Sequence, residues 1–242
     1  MRKVLMLILS LLVLVGCSAA SNEPPPEPLA LVTEAANNIR GRSTFRMEVL
    51  SSGAPYAVET DFGANVFFRQ ARAQYVAPDT LQGNVRLIVA GIPADVDIFS
   101  QGDIQWYRNQ ILTGNEWVNQ PFAPGFNPQA LIADDTGFQA ALNALIDIEY
   151  IGESNLEDGT PAYHLTGTAD GQDISALLAG IIQIQGNANV DVYIHREDRY
   201  PVRFIITLPE TVTETEPDPT RWTVDVYDID AAPELDVPGE TR

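Results

Sequence analysis

The chain has 242 residues and carries 33 acidic against 14 basic side chains, for a formal net charge of -19. Such an excess of negative charge repels polyanions, which excludes nucleic acid as a partner, and it leaves no basic patch to hold anionic headgroups. A single cysteine excludes an internal disulfide, so a core of apolar side chains must hold the fold, and the length suits one domain.

Arg2 and Lys3 precede an unbroken apolar stretch from Val4 to Val15, too short for a comfortable permanent span, and the sequence Leu14-Val15-Gly16-Cys17 follows. Residues 1–16 therefore read as a cleavable signal peptide. Small residues before a cysteine admit the backbone to a peptidase, while the thiol of Cys17 takes a diacylglyceryl group. A retained signal-anchor helix fits less well, because polar residues from Ser18 to Asn22 come at once. Two or three acyl chains of the palmitate kind anchor a protein durably, which places the chain on the extracytoplasmic face of a cell membrane. Glu23-Pro24-Pro25-Pro26-Glu27-Pro28 then favours polyproline II and reads as a stiff tether, so residues 17–28 form the lipidated start. A ligand for a proline-binding partner is the alternative use of that segment.

The expected domain covers residues 29–230. Val32, Ala35, Ala36 and Ile39 place one stripe on a helix over Leu29–Arg40, stopped by Gly41. The period then changes to two. Phe45, Met47 and Val49 alternate with polar residues, and Tyr56, Val58 and Phe62 repeat the pattern after a Ser-Ser-Gly-Ala-Pro turn, as in a β-hairpin. Val66–Phe68, Ala73–Val76, Val85–Ala90, Val96–Phe99 and Ile104–Tyr107 continue as an antiparallel meander. A short helix is expected after Asn127-Pro128. A second has Phe138, Ala141, Leu142 and Leu145 on one face, and a third is capped by Asp173, with Ile174, Leu177, Leu178 and Ile181 aligned. Strands are expected at Ile146–Tyr150, Ala162–Thr168, Val190–Ile194, Val202–Ile206 and Trp222–Tyr227, and residues 231–242 as a disordered tail. Nothing alternates as a parallel βαβ fold would, so the fold class is α+β, a curved antiparallel sheet wrapped around amphipathic helices.

Several features together make the chain resemble the mycobacterial LppX/LprAFG lipoprotein family, whose members resemble the carriers LolA and LolB in fold. They are the Leu-Val-Gly-Cys lipobox, the helix after a Pro-rich tether, the Trp106-Tyr107 strand, the Trp117 segment, and the run Asp218-Pro219-Thr220-Arg221-Trp222-Thr223-Val224-Asp225-Val226-Tyr227-Asp228. The resemblance implies a half-open β-barrel whose concave face holds the acyl chains of a lipid or glycolipid and carries them through the cell envelope to a transporter or acceptor protein. On that implication the lining residues are Phe45, Met47, Val49, Tyr56, Val58, Leu87, Val89, Val96 and Ile98 from strands, with Phe138, Leu142 and Leu145 from a helix. Each of them taken singly is also accounted for by ordinary core packing.

Motifs for chemistry are missing from the sequence. His164 and His195 sit in strand-like segments, and there is no Gly-x-Ser-x-Gly elbow, phosphate-cradling loop or His-Glu-x-x-His pair. Asp95 with Asp97, and Asp225 with Asp228, invite a calcium reading, but no twelve-residue calcium loop contains them, and Asp95 and Asp97 straddle Val96 as the outer face of a strand does. The expectation is a non-enzymatic protein without cofactor or metal. A sensor or protein-binding module of the same fold is the rival, and a hydrolase with unrecognised residues the third reading.

Overall fold

The computed structural model describes residues 26–58, 66–178 and 182–239. Cys17, the signal segment, most of the tether, Phe62 and Ile181 lie outside the described residues.

Helix α1 (Pro28–Arg40) opens the domain, with Pro28 at its first position and the Glu27 carboxylate accepting the amides of Leu29 and Ala30. Proline suits that place because its missing N–H would find no partner in a first turn anyway. Leu31, Val32, Ala35, Ala36 and Ile39 are buried, the stripe expected from their spacing.

Among the described residues twelve strands follow, all paired antiparallel in one sheet: β1 (Thr44–Ser52), β2 (Ala57–Val58), β3 (Val66–Val76), β4 (Thr80–Val89), β5 (Ile92–Gln101), β6 (Ile104–Arg108), β7 (Val118–Asn119), β8 (Ile146–Asn155), β9 (Pro161–Asp170), β10 (Asn187–His195), β11 (Pro201–Leu208) and β12 (Thr220–Tyr227). Their order is β7-β6-β5-β4-β3-β1-β12-β11-β10-β9-β8, with β2 as a short branch on β3. The first long strand and the last are neighbours at the middle, Met47 opposite Val226 and Val49 opposite Val224. The sheet stays open, with β7 and β8 at its two ends.

Two expectations about the strands are corrected. The segment at Tyr56 and Val58 does not form a hairpin with β1: β2 pairs with β3, and β1 pairs with β3 and β12. Val66–Phe68 and Ala73–Val76 are one strand, β3, interrupted by a register shift between Phe68 and Gln70. A bulge adds a residue, so Val66 and Phe68 before it and Ala71, Ala73 and Tyr75 after it share the inner face.

The helical parts are short. A 3-10 turn over Pro128–Leu131 is capped by Asn127, whose side chain accepts the Gln129 amide, and α2 (Gly137–Asn143) buries Phe138, Ala141 and Leu142. The third helix is not capped by Asp173. Asp170 accepts the Gln172 amide, α3 (Gly171–Ile174) lasts one turn, and a 3-10 turn over Ser175–Leu178 continues it. α1 packs on β8, β10 and β11, α2 on α1, α3 on β9 and β10, and the 128–131 turn on β4, so the three α-helices cover one half of the inner face.

The tail also departs from expectation. Residues 231–239, read from sequence as disordered, are laid across the outer face: Thr44 Oγ1 donates to Ala231 O (2.7 Å), the Asp236 amide to Gln82 Oε1 (2.7 Å), and Arg108 pairs with Asp236 (2.9 Å). Acidic tail residues find the arginines that the outer face exposes.

Candidate functional site

The covered half of the inner face is solid. Phe45 stacks on Tyr75 at 4.8 Å, meets Phe138 edge-on at 5.7 Å, and Phe138 lies 5.9 Å from Phe204. Offset and edge-to-face rings at such spacings leave no room between them. Val190, Val192, Phe204, Ile206, Trp222 and Val224 complete this wall and are buried. The Tyr75 hydroxyl donates to Pro78 O (2.8 Å), and its pKa is pushed up to about 12, first by burial and then by the charge of Asp79.

The other half differs. On β3, β4 and β5 the inward side chains are apolar apart from Ser100; Val66, Phe68 and Ile98 are buried, but Ala71, Ala73, Val85, Leu87, Val89 and Val96 are only half-buried. This wing is bounded at one end by the loop 122–131. Gln105, buried on β6, accepts the amides of Phe122 and Ala123 and donates to the carbonyls of Ala123 and Phe126, which pins the loop with every polar atom of its amide used. Beside the wing's other end, Tyr56 stands edge-on to Trp222 at 4.9 Å, donates its hydroxyl to Gln183 O and accepts the Gln185 amide.

Of the twelve lining residues expected from sequence, Phe45, Met47, Val49, Ile98, Phe138, Leu142 and Leu145 lie in the packed core. Tyr56, Val58, Leu87, Val89 and Val96 are half-buried in or beside the wing. Ala71, Ala73 and Val85 belong with them. Period-two spacing would have put Val85 beside Leu87, whereas the bulge in β3 hides the placement of Ala71 and Ala73.

The polar groups sit on the outer face. Asp95 accepts a fork of two bonds from Arg86, from Nε (2.8 Å) and from Nη2 (3.2 Å), and that hydrogen bonding lowers its pKa. Asp97 pairs with Arg108 (2.8 Å) and Asn84 (2.7 Å), and Asp225 with Arg203. The carboxylates that suggested calcium are thus cross-strand ion pairs, and among the described residues no group of three potential ligands is placed to hold a metal. His164 Nε2 contacts Asp191 Oδ1 at 2.8 Å and its ring stacks on Tyr193, while His195 Nδ1 accepts the Asp198 amide and its ring stacks on Tyr200. Two open hollows of about 260 and 450 Å³ also lie on this face, lined by Arg46, Arg72 and Arg108 in one and by Asp147, Glu149, Asp191 and Arg221 in the other. Their charged linings do not suit hydrocarbon.

Two solved structures share this fold. The crystal structure of LprF from Mycobacterium bovis superposes with a TM-score of 0.64 at 14% identity, over 89% of this chain and 98% of that one. That of the lipoprotein LppX from Mycobacterium tuberculosis gives 0.57 at 17% identity, over 86% and 97%. At these identities the likeness is one of fold. A LolA superfamily protein from Nitrosomonas europaea aligns over 87% of this chain and 96% of its own at 10% identity and a TM-score of 0.28. No curated protein matches the chain in sequence. The model of the LppX_LprAFG lipoproteins matches residues 27–232, from the residue that caps α1 to the turn after β12. The chain belongs to the LppX_LprAFG lipoprotein family.

Proposed function

We propose that the chain is a lipid carrier, anchored through acylated Cys17 on the extracytoplasmic side of a membrane, that shelters acyl chains of a lipid or glycolipid on the inner wing and passes them to an envelope acceptor without covalent chemistry. The observation that carries this reading is the contrast between the two halves of one inner face. Both are largely apolar, yet in one Phe45, Phe138, Phe204 and Trp222 are buried throughout, while in the other Ala71, Val85, Leu87, Val89 and Val96 stay half-buried beside buried Val66, Phe68 and Ile98. Leaving Val85, Leu87 and Val96 partly wet forgoes stabilisation that further burial would return, and a bound chain would recover it at about 0.8 kcal/mol per methylene. Recognition of this kind needs no polar contact, which agrees with Arg72, Arg86, Asp95 and Asp97 lying on the outer face of β3–β5. Val58, Leu87, Val89 and Val96 are the lining we assign, and the packed seven hold the wall behind them.

Native mass spectrometry of the domain expressed in bacteria without its lipobox cysteine tests the reading. The expected spectrum contains a population heavier by the mass of co-purified lipid, reduced in Leu87→Trp. Unloaded protein alone, under conditions where a known lipid carrier keeps its cargo, would overturn the reading in favour of a protein-binding module.

A further inference from the structure

The end of the wing where β4 turns into β5 and β6 runs out is apolar and free of charge over two neighbouring segments. Alternation of polar and apolar residues stops at Arg86. Residues 87–94 and 109–115 contain no charged side chain, in a chain with 33 acidic residues. Both faces of the sheet are apolar there, with Val66 and Val89 inward and Phe67 and Ile88 outward. Ile92, Ile111 and Leu112 are 65%, 80% and 75% exposed. The bond from Asn109 Nδ2 to Asp95 O (2.7 Å) holds the 109–115 turn beside the start of β5, so these three residues share one end.

The turn is also built to leave water. Buried Asn109 accepts the amides of Ile111 and Leu112 on its Oδ1, and its carbonyl accepts those of Thr113 and Asn115. Backbone donors that already have partners cost little to bring into an apolar medium, whereas free ones would oppose entry.

We propose that this end, led by Ile111, Leu112 and Ile92, docks into the surface of a lipid bilayer and brings the open wing against the acyl chains it loads or delivers. The partner is a membrane because residues 87–94 and 109–115 offer greasy tips with no carboxylate among them, and because they run continuously into the inner wing. Reach permits it: the eleven steps from Cys17 to Pro28 span at most about 40 Å, against about 33 Å for ten-residue β4. The purpose of the contact rests on the carrier reading above, while the contact itself stands on the tip.

The test uses the full lipidated chain in phosphatidylcholine vesicles with brominated acyl chains. Because Cys17 is acylated, Leu112→Cys supplies a single thiol for an environment-sensitive fluorophore, and Gln101→Cys, at the far end of β5, supplies the control. Strong quenching at 112 and little at 101 is expected, with roughly tenfold less quenching at 112 when Ile92→Asp and Ile111→Asp are added. Those positions are exposed, so folding is not at stake. Equal quenching at both positions, or quenching at neither, overturns the docking surface. If quenching fails while the protein still retains lipid, the carrier reading survives alone; if position 112 is quenched and no lipid is retained, the membrane contact survives alone.

Discussion

Two substitutions of apolar residues on the same inner face should have opposite consequences. Phe138 is 1% exposed, with its ring 5.7 Å from Phe45 and 5.9 Å from Phe204, and it fastens α2 to the sheet. Phe138→Ala removes a buried ring from a wall that cannot collapse around the gap, a loss of about 3–5 kcal/mol, of which about 0.5–1.5 kcal/mol belongs to each ring pair. For a domain of this size that corresponds to a fall of roughly 6–20 °C in Tm. Leu87 is half-buried at the open wing, so Leu87→Trp can turn its excess volume toward solvent and should cost about 1 kcal/mol or less. Differential scanning calorimetry and native mass spectrometry on both variants separate the outcomes. Phe138→Ala should melt early yet keep its lipid while folded, whereas Leu87→Trp should melt near the parent and lose lipid. A Leu87→Trp variant that falls in Tm as far as Phe138→Ala would refute the division of the inner face into a packed and an open half.

Gly137 joins the turn after the 128–131 segment to α2 at a φ of +60°, and a Cβ there would stand 2.1 Å from Leu131 O. Gly137→Ala should therefore destabilise by about 3 kcal/mol or more in urea titration, far beyond the effect of Ala at Gly159, where nothing lies near. Alkaline unfolding is a further check. Free tyrosine titrates near pH 10 and Tyr75 at about 12, so the native state holds the proton more tightly; its contribution is complete below pH 10 and is lost as pH rises from about 10 to 12, at most about 2.7 kcal/mol. Tyr75→Phe should flatten that part of the pH–stability curve. Smaller slopes from Tyr193, Tyr200 and Tyr227, whose hydroxyls burial also pushes up, should remain.

Local pattern made much of the molecule legible. Residues 29–40 carry a 3.6-residue stripe and become α1, and the strand pairs β8–β9 and β10–β11 stand where period-two segments predict them. The Trp222–Tyr227 run alternates and becomes the strand whose Trp222, Val224 and Val226 are buried. Errors arose where a local signal had two competing outlets. Asp170 and Asp173 could both cap a helix, and the fold uses Asp170. The residues near Tyr56 alternate well enough for a hairpin with β1, but β1 already has β3 and β12 on its two sides.

By itself the sequence determined which side chains face inward and outward along the strands without a bulge, the approximate placement of the helices, and the likeness to a lipoprotein family, because periodicity and motif are properties of neighbours in the chain. Only the tertiary structure decided that β1 and β12 meet, that the tail is strapped to the outer face, and that the helices cover one half of the sheet and leave β3–β5 part bare. Leu142 and Leu87 obey the same apolar rule, yet one is buried in the wall and the other is left half-buried. That difference is set by what packs above each residue, which comes from elements remote in the chain.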